Sequence, residues 1–285
     1  MRIAIVATLL RPHALEIVRA TVALARAAGA EVCMTTETAA ALGIAEGVVE
    51  ELLMPGADLA IAIGGDGTML GAVRAAAPHC VPVLGINAGA LGFLTAITPE
   101  QLPILLPQAL RGEFTVESRS MLRGVIQRGD EIINEMTALN DIVVRQGRQG
   151  RLINLDVTVA GRELGRFSAD GLLVSTPTGS TAYGLSAGGP IIHPGAAVTV
   201  LVPICPHSLS FRPMVFPAAD PMVITCEGNF HGDEILVIAD GQDPVTVNIG
   251  DQIVITPDPC VASLVKIDQT SFYDRLREKL QWGGG

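Results

Sequence analysis

The chain is short of positive charge: 19 lysines and arginines stand against 29 aspartates and glutamates, a formal net charge of −10. That balance argues against nucleic acid as a partner, because a phosphate backbone calls for a basic face. Any phosphorylated ligand must then find positive potential locally, at helix N-termini, at a few arginines or at a metal ion. No apolar stretch approaches the roughly 18 residues that cross a bilayer, so no membrane partner is expected. Met1–Ala7 reads as a first strand rather than a secretory leader, because a break at Arg11-Pro12 and an amphipathic helix follow it. The cysteines, Cys33, Cys80, Cys205, Cys226 and Cys260, are odd in number and form no C-x-x-C pair. They read as small buried hydrophobes in a reducing, cytoplasmic setting, which argues against disulfides and zinc. No internal repeat and no low-complexity tract beyond Gly283–Gly285 is present.

What is present is a compact, ordered protein. Of 285 residues, 49% are hydrophobic and only 17% charged, enough for one large or two ordinary domains. The stretch that organises the chain is Ile61-Ala62-Ile63-Gly64-Gly65-Asp66-Gly67-Thr68-Met69-Leu70. Asp58–Ile63 is continuously apolar after its first residue and predicts a buried strand; Met69–Ala77 resumes at helical spacing. A strand, a glycine turn and a helix start make a phosphate loop of Gly64, Gly65, Gly67 and Thr68, since first-turn N–H groups are free to meet an anion. The loop lacks the Gly-Lys-Ser/Thr ending of a P-loop, and G-x-G-x-x-G fails at Leu70. Asp66 is the anomaly, because a carboxylate repels phosphate. It can take a proton from an attacking hydroxyl or help position a cation, both of which point to phosphoryl transfer; a Gly-Asp-Gly turn without chemistry is the other reading.

Around this loop, Ile3–Thr8, Val32–Thr35 and Val81–Ile86 predict strands and His13–Ala28 a helix that Gly29 ends. This βαβ rhythm implies a parallel sheet with ligands at the carboxyl ends of its strands. The loop Asn87-Ala88-Gly89-Ala90-Leu91-Gly92-Phe93-Leu94-Thr95 either lines the same cleft or is plain punctuation. Pro99–Leu110 reads as a helical passage to a second domain. From about Thr115 short strands alternate with turns: Ile153, Leu155, Val157 and Val159 in one, then Pro221–Cys226, Glu234–Ala239, Val245–Ile249 and Gln252–Thr256. The fold expected is an α/β N-terminal domain with a Rossmann-like parallel sheet plus a β-rich, sandwich-like C-terminal domain. Its boundaries fall at 1–98, with an amphipathic helical tail returning over 264–285, and 99–263.

Three further polar groups sit in apolar surroundings. Asn140-Asp141 either meets hydrogen-bond donors, such as the paired hydroxyls of a ribose, or forms an Asx turn. Ser175-Thr176-Pro177-Thr178-Gly179-Ser180-Thr181-Ala182-Tyr183 packs five hydroxyls ahead of an aromatic stacking face, which suits a polar ligand or an N-capped helix start. Asp240-Gly241-Gln242 reads first as a hairpin turn. Arg145, Arg148 and Arg151 are spaced for a phosphate clamp or a solvated charge run.

In this order and spacing, Gly64-Gly65-Asp66-Gly67-Thr68, Asn87-x-Gly89-x-Leu91-Gly92-Phe93-Leu94, Asn140-Asp141, Thr176–Tyr183, Gly188-Gly189-Pro190, Pro203–Pro213, Asp240-Gly241-Gln242 and Phe272-Tyr273-x-x-Leu276-Arg277-x-Lys279-Leu280 resemble the bacterial NAD kinases. The glycine motif alone is shared with phosphofructokinases and lipid kinases; with the Thr-Pro-Thr-Gly-Ser-Thr-Ala-Tyr run it is highly specific. The resemblance implies transfer of the γ-phosphoryl of ATP, or of polyphosphate, to the 2′-hydroxyl of the adenosine ribose of NAD. It implies Asp66 as proton acceptor, and NAD contacts from Asp66, Gly67, Asn140, Asp141, Arg151, Ser168, Asp170, Thr181, Ala182, Tyr183, Gly184, Leu185, Ser186 and Gln242. It also implies a divalent cation, Mg²⁺, on the triphosphate, and a homodimer or homotetramer. The chain departs from the pattern at Ala90 and at Ser168-Ala169, where many relatives carry a basic residue; Arg166 is the nearest cation. Two alternatives stay open: a kinase of the same superfamily with another acceptor hydroxyl, and a dinucleotide-sensing module without catalysis.

Overall fold

A computed structural model describes residues 1–9, 13–44, 47–49, 53–89, 92–147, 152–229, 234–267 and 270–282. Two compact units emerge, Met1–Ser118 with Ala262–Gly285, and Arg119–Val261. In chain order the elements are β1 (Arg2–Ala7), α1 (Ala14–Ala27), β2 (Glu31–Met34), α2 (Thr36–Leu42), β3 (Leu59–Gly64), α3 (Asp66–Ala76), β4 (Val83–Asn87), α4 (Leu102–Leu110) and β5 (Thr115–Arg119). They continue with β6 (Leu122–Arg128), β7 (Glu131–Ala138), β8 (Asp141–Gln146), β9 (Ile153–Val159), β10 (Arg162–Ala169), β11 (Gly171–Ser175), α5 (Tyr183–Ser186), β12 (Val198–Ile204) and β13 (Met214–Pro217). The last are β14 (Met222–Asn229), β15 (Ile235–Ala239), β16 (Gln242–Val247), β17 (Gln252–Pro257), β18 (Ala262–Lys266) and α6 (Phe272–Leu280).

The first unit holds a six-stranded sheet in the order β2-β1-β3-β4-β18-β5, with β1, β2, β3 and β4 parallel to one another. Every residue of β3 is buried, as a strand covered on both faces must be. Each of Ile61 and Ile63, wholly withdrawn from water, contributes roughly 1.5–3 kcal/mol of apolar transfer energy. Helix α1 buries Ala14, Ile17, Val18, Thr21, Val22 and Ala25, a stripe at helical period. From β1 the chain moves to β2 on one side and later to β3 on the other. The carboxyl ends of β1 and β3 therefore form a topological switch point, where open α/β sheets bind ligands. The glycine loop leaves β3 there.

Three differences from the sequence reading have plain causes. Helix α3 begins at Asp66, not Met69, because Gly65 takes the extended N-cap position and the first two turns follow without a break. Helix α2 has no apolar stripe long enough to announce it; Thr35 caps it by accepting from the Thr38 N–H, and Gly43 ends it at φ 74°. Helix α4 stays with the first unit, since Leu102, Leu106 and Ala109 share the core of Ile17, Ile61 and Ile86. The first unit thus runs to Ser118 and resumes at Ala262, against the 98/99 and 263/264 boundaries read from the sequence.

The second unit is two six-stranded sheets, β10-β9-β14-β17-β6-β7 and β13-β12-β11-β8-β15-β16. Leu155, Val157, Ile224 and Ile253 from one and Ile142, Val144, Leu172 and Val174 from the other close a shared core, as in a β-sandwich. In β9 the burial alternates strictly, with Ile153, Leu155, Val157 and Val159 inward. Strands β8 and β11 do not alternate. Their opposite face, Val143 and Leu173, packs beneath Ala187 and Ile192, so both sides are covered.

Candidate functional site

In the first unit the glycine loop presents Asp66 at the first position of α3. The half-buried carboxylate accepts the Phe93 N–H at 3.1 Å and the Leu94 N–H at 3.2 Å. Those two amides fix the oxygens while the first-turn N–H groups of α3 have no intrahelical acceptor. Gly92 lies against the carboxylate so closely that a Cβ there would overlap it. Arg275 of α6 donates to the Phe93 carbonyl at 2.9 Å, so the returning helix braces the loop that holds Asp66. Asn87, read as a candidate cleft residue, lines a cavity with Ala88 and Gly89 and also staples its own turn: its side chain donates to the Gly89 carbonyl and accepts the Gly89 N–H. Ala90 and Leu91 lie outside the described residues.

In the second unit a cavity of about 380 Å³ is lined by Asn140, Asp141, Val143, Arg145, Ala182, Tyr183, Ile238, Asp240 and Gly241. Period-2 geometry puts Asp141, Val143 and Arg145 of β8 on this face. Val143 and Ile238 give an apolar floor, Tyr183 is a largely exposed ring at the start of α5, and Asp141 brings a carboxyl that is only 5% exposed. Among the described residues the Asp141 carboxyl has no hydrogen-bond partner. Burial, and then the neighbouring charge of Asp240, push it up to about 7.

Asp240 sits beneath. It occupies a left-handed conformation at φ 51°, followed by Gly241 at φ 71°, the primed hairpin turn that Asp-Gly favours. The turn reading is therefore correct, and incomplete. The Asp240 carboxylate accepts three consecutive backbone N–H groups, from Leu139 at 2.9 Å, Asn140 at 2.7 Å and Asp141 at 3.3 Å. The composition near position 240 gives no sign of this; the signal is an Asp-Gly turn whose partners lie a hundred residues upstream.

The hydroxyl-rich run is architecture more than open ligand surface. Thr176 donates to the Leu139 carbonyl at 2.6 Å and accepts the Gly179 N–H at 3.1 Å; Ser175 donates to the Asn140 carbonyl at 3.2 Å. Ser180 donates to the Pro177 carbonyl and accepts the Ile192 N–H, Thr181 donates to the Thr178 carbonyl, and Arg119 donates to the Thr178 hydroxyl. A Cβ on Gly179 would overlap the Asn140 backbone. The run thus clamps the Asn140-Asp141 corner and delivers Ala182 and Tyr183 to the cavity.

Other residues named from the sequence are placed elsewhere. Gly171 pairs with Arg145 and Ser175 with Asp141, so Asp170 and Ser168 lie beyond the far end of β11 from Asp141. The Ser168 hydroxyl bonds the Asn154 side chain. Arg166 is engaged bidentately by Asp156, with Glu227 alongside. Gly184, Leu185 and Ser186 form α5 behind Tyr183, and Gln242 opens β16. Arg148 and Arg151 lie outside the described residues, whereas Arg145 lines the cavity. Among the described residues no group of three or more His, Cys, Asp or Glu is arranged to hold a metal ion.

A glycine loop at a switch point with an acid fixed at the helix start, and a cavity of about 380 Å³ holding a carboxyl with no partner among the described residues, suit a nucleotide-dependent kinase. Residues 3–114 match the ATP-NAD kinase N-terminal domain and residues 139–267 the ATP-NAD kinase C-terminal domain. The chain is 42% identical to an NAD kinase of Moorella thermoacetica over 284 residues, 99% of this chain and 90% of that one. It is 41% identical to an NAD kinase of Thiobacillus denitrificans over 268 residues, 93% and 91% of the two chains. The chain belongs to the NAD kinase family. Among solved structures, an NAD kinase from Archaeoglobus fulgidus in complex with ATP aligns with a TM-score of 0.77 at 28% identity, covering 99% of both chains. A yeast NADH kinase complexed with NADH aligns at 0.90 and 23% identity, covering all of this chain and 88% of that one.

Proposed function

We propose that this enzyme transfers the γ-phosphoryl group of ATP to the 2′-hydroxyl of the adenosine ribose of NAD, giving NADP and ADP. The observation that carries the reading is the Asp66 carboxylate, fixed by the Phe93 and Leu94 amides at the mouth of a glycine loop. A binding module gains nothing from an acid beside phosphate; a kinase needs one. As the 2′-oxygen bonds to the γ-phosphorus and the bond to the β-phosphate oxygen breaks, Asp66 takes the hydroxyl proton. The first-turn N–H groups of α3, with Gly64, Gly65, Gly67 and Thr68, face the phosphates. Asn140 and Asp141 hold ribose hydroxyls, Tyr183 gives a stacking face, and Thr181, Ala182, Gly184, Leu185, Ser186 and Gln242 complete the acceptor contacts. Ser168, Asp170 and Arg151 take the remaining NAD contacts that the family resemblance assigns.

Among the described residues no ligand cluster holds a metal on its own, so a Mg²⁺ ion would be held chiefly by the oxygens of the nucleotide phosphates. Bound so, it neutralises charge that an acidic chain cannot. A cytoplasmic location and a homodimer or homotetramer belong to the same reading. The test is NADP formation from NAD, ATP and Mg²⁺ by purified protein, with NADH and polyphosphate in parallel. Robust NADP that disappears on chelation is the expected result. Measurable NAD binding with no NADP from any donor would turn the reading into a dinucleotide sensor.

A further inference from the structure

The Asn140-Asp141 corner leads into β8, and both residues are buried. A buried amide without a partner costs about 1–3 kcal/mol, so a loop this enclosed needs an acceptor. Asp240 supplies it for three amides in a row, from a side chain that is itself 9% exposed. The turn that carries Asp240 is held in a left-handed conformation that L-residues other than Asn and Asp rarely adopt. Asp240 also accepts its own backbone restraint from across the sheet, where its N–H donates to the Asp141 carbonyl at 2.9 Å. Turn and corner are therefore tied in both directions.

We infer that Asp240 is a positioning residue for the acceptor: it touches no reacting atom but fixes the backbone that presents Asn140 and Asp141. The inference rests on the reading that this cavity receives the NAD ribose.

The arrangement has a second effect. The charged and titratable groups around the Asp141 carboxyl, among the described residues, are Asp240 from the β15–β16 turn, Arg145 from β8 and Tyr183 from α5. Asp240 is bound by three backbone N–H donors, and its carboxylate is the second reason, after burial, that Asp141 sits at about 7. Ribose hydroxyls donate to the ionised form. Affinity for NAD therefore rises as pH climbs through about 7 and falls on the acid side, where the ligand must displace a proton.

The experiment is NAD affinity and steady-state kinetics from pH 5.5 to 9 for the wild-type enzyme and Asp240→Asn. The variant turns one acceptor oxygen into an amide donor facing N–H groups and removes the charge. KM for NAD should rise roughly ten-fold at pH 8, the effect of losing hydrogen bonds to a charged group, with kcat changed much less. The acid limb should move down by roughly one pH unit, because a like charge no longer opposes ionisation of Asp141. An unchanged KM, or a KM and kcat that fall together on an unmoved acid limb, overturns the inference. If the variant does not fold, amide hydrogen exchange in the wild-type protein decides. Protection of the Leu139 and Asn140 amides well beyond that of exposed loop amides supports the brace, and exchange at loop rates overturns it. A wild-type enzyme that makes no NADP would instead count against the proposed reaction, and the exchange data would still report on Asp240.

Discussion

Asp66 and Asp141 are both candidate site carboxylates in largely apolar segments, and the chain treats them oppositely. Asp66 is half-buried at a helix start, gripped by the Phe93 and Leu94 amides. Asp141 is more deeply buried, unpartnered among the described residues, and pushed up to about 7 by that burial first and by a neighbouring carboxylate second. A base must be held still and ready when the hydroxyl arrives. A recognition group can wait for the ligand to bring its hydrogen bonds. The contrast teaches that burial and the donors around a carboxylate together set its task.

The comparison can be broken most forcefully at Asp66. Asp66→Asn should lower kcat by roughly 10²–10⁴-fold, the usual effect of removing a general base, equivalent to about 3–5 kcal/mol of barrier. Gly92→Ala puts a Cβ where the carboxylate lies. Since a displacement of about 1 Å in a catalytic group can cost roughly 10²-fold in rate, steady-state kinetics should show a loss of that order in kcat with NAD affinity kept.

Asp141 yields a prediction of stability instead of rate. Its carboxyl sits at about 7 when folded, above its ordinary value of 3.8. The folded state therefore favours the protonated form, and stability is fully present below pH 3.8 and declines as pH rises through 7. Asp141→Asn should accordingly make the ligand-free protein more stable at pH 8, by about 2 kcal/mol in denaturant unfolding, with no gain near pH 3. The smallest effect belongs to Arg275→Ala. Losing one hydrogen bond to the Phe93 carbonyl, about 1 kcal/mol, should lower kcat a few-fold and leave NAD affinity unchanged.

Much of the first unit was legible in the sequence because its signals are local. An apolar run, three glycines and a resumed helical period place the loop within three residues, and the resemblance assigned Asp66 its chemistry. What escaped was anything fixed by distant partners. The hydroxyls of Ser175–Thr181 look like ligand donors until Thr176 and Ser175 are seen to bond the carbonyls of Leu139 and Asn140. Asp240 looks like a turn until its carboxylate is found on an amide 100 residues away. Asp170 precedes β11 by one residue, and only the antiparallel register shows that it lies at the Arg145 end of that strand and Asp141 at the other. Helix α2 escaped for a different reason, being too short to show a period.

The most direct measurement of the central claim is the NAD dissociation constant and kcat of wild type, Asp66→Asn and Asp141→Asn, each on a single preparation at pH 8. The account predicts a crossed result: Asp66→Asn binds NAD nearly as wild type does and hardly turns it over, while Asp141→Asn binds weakly and recovers much of its turnover at saturating NAD. Equal loss of binding and turnover in Asp66→Asn would contradict it, and would make the acid at the head of α3 a structural residue.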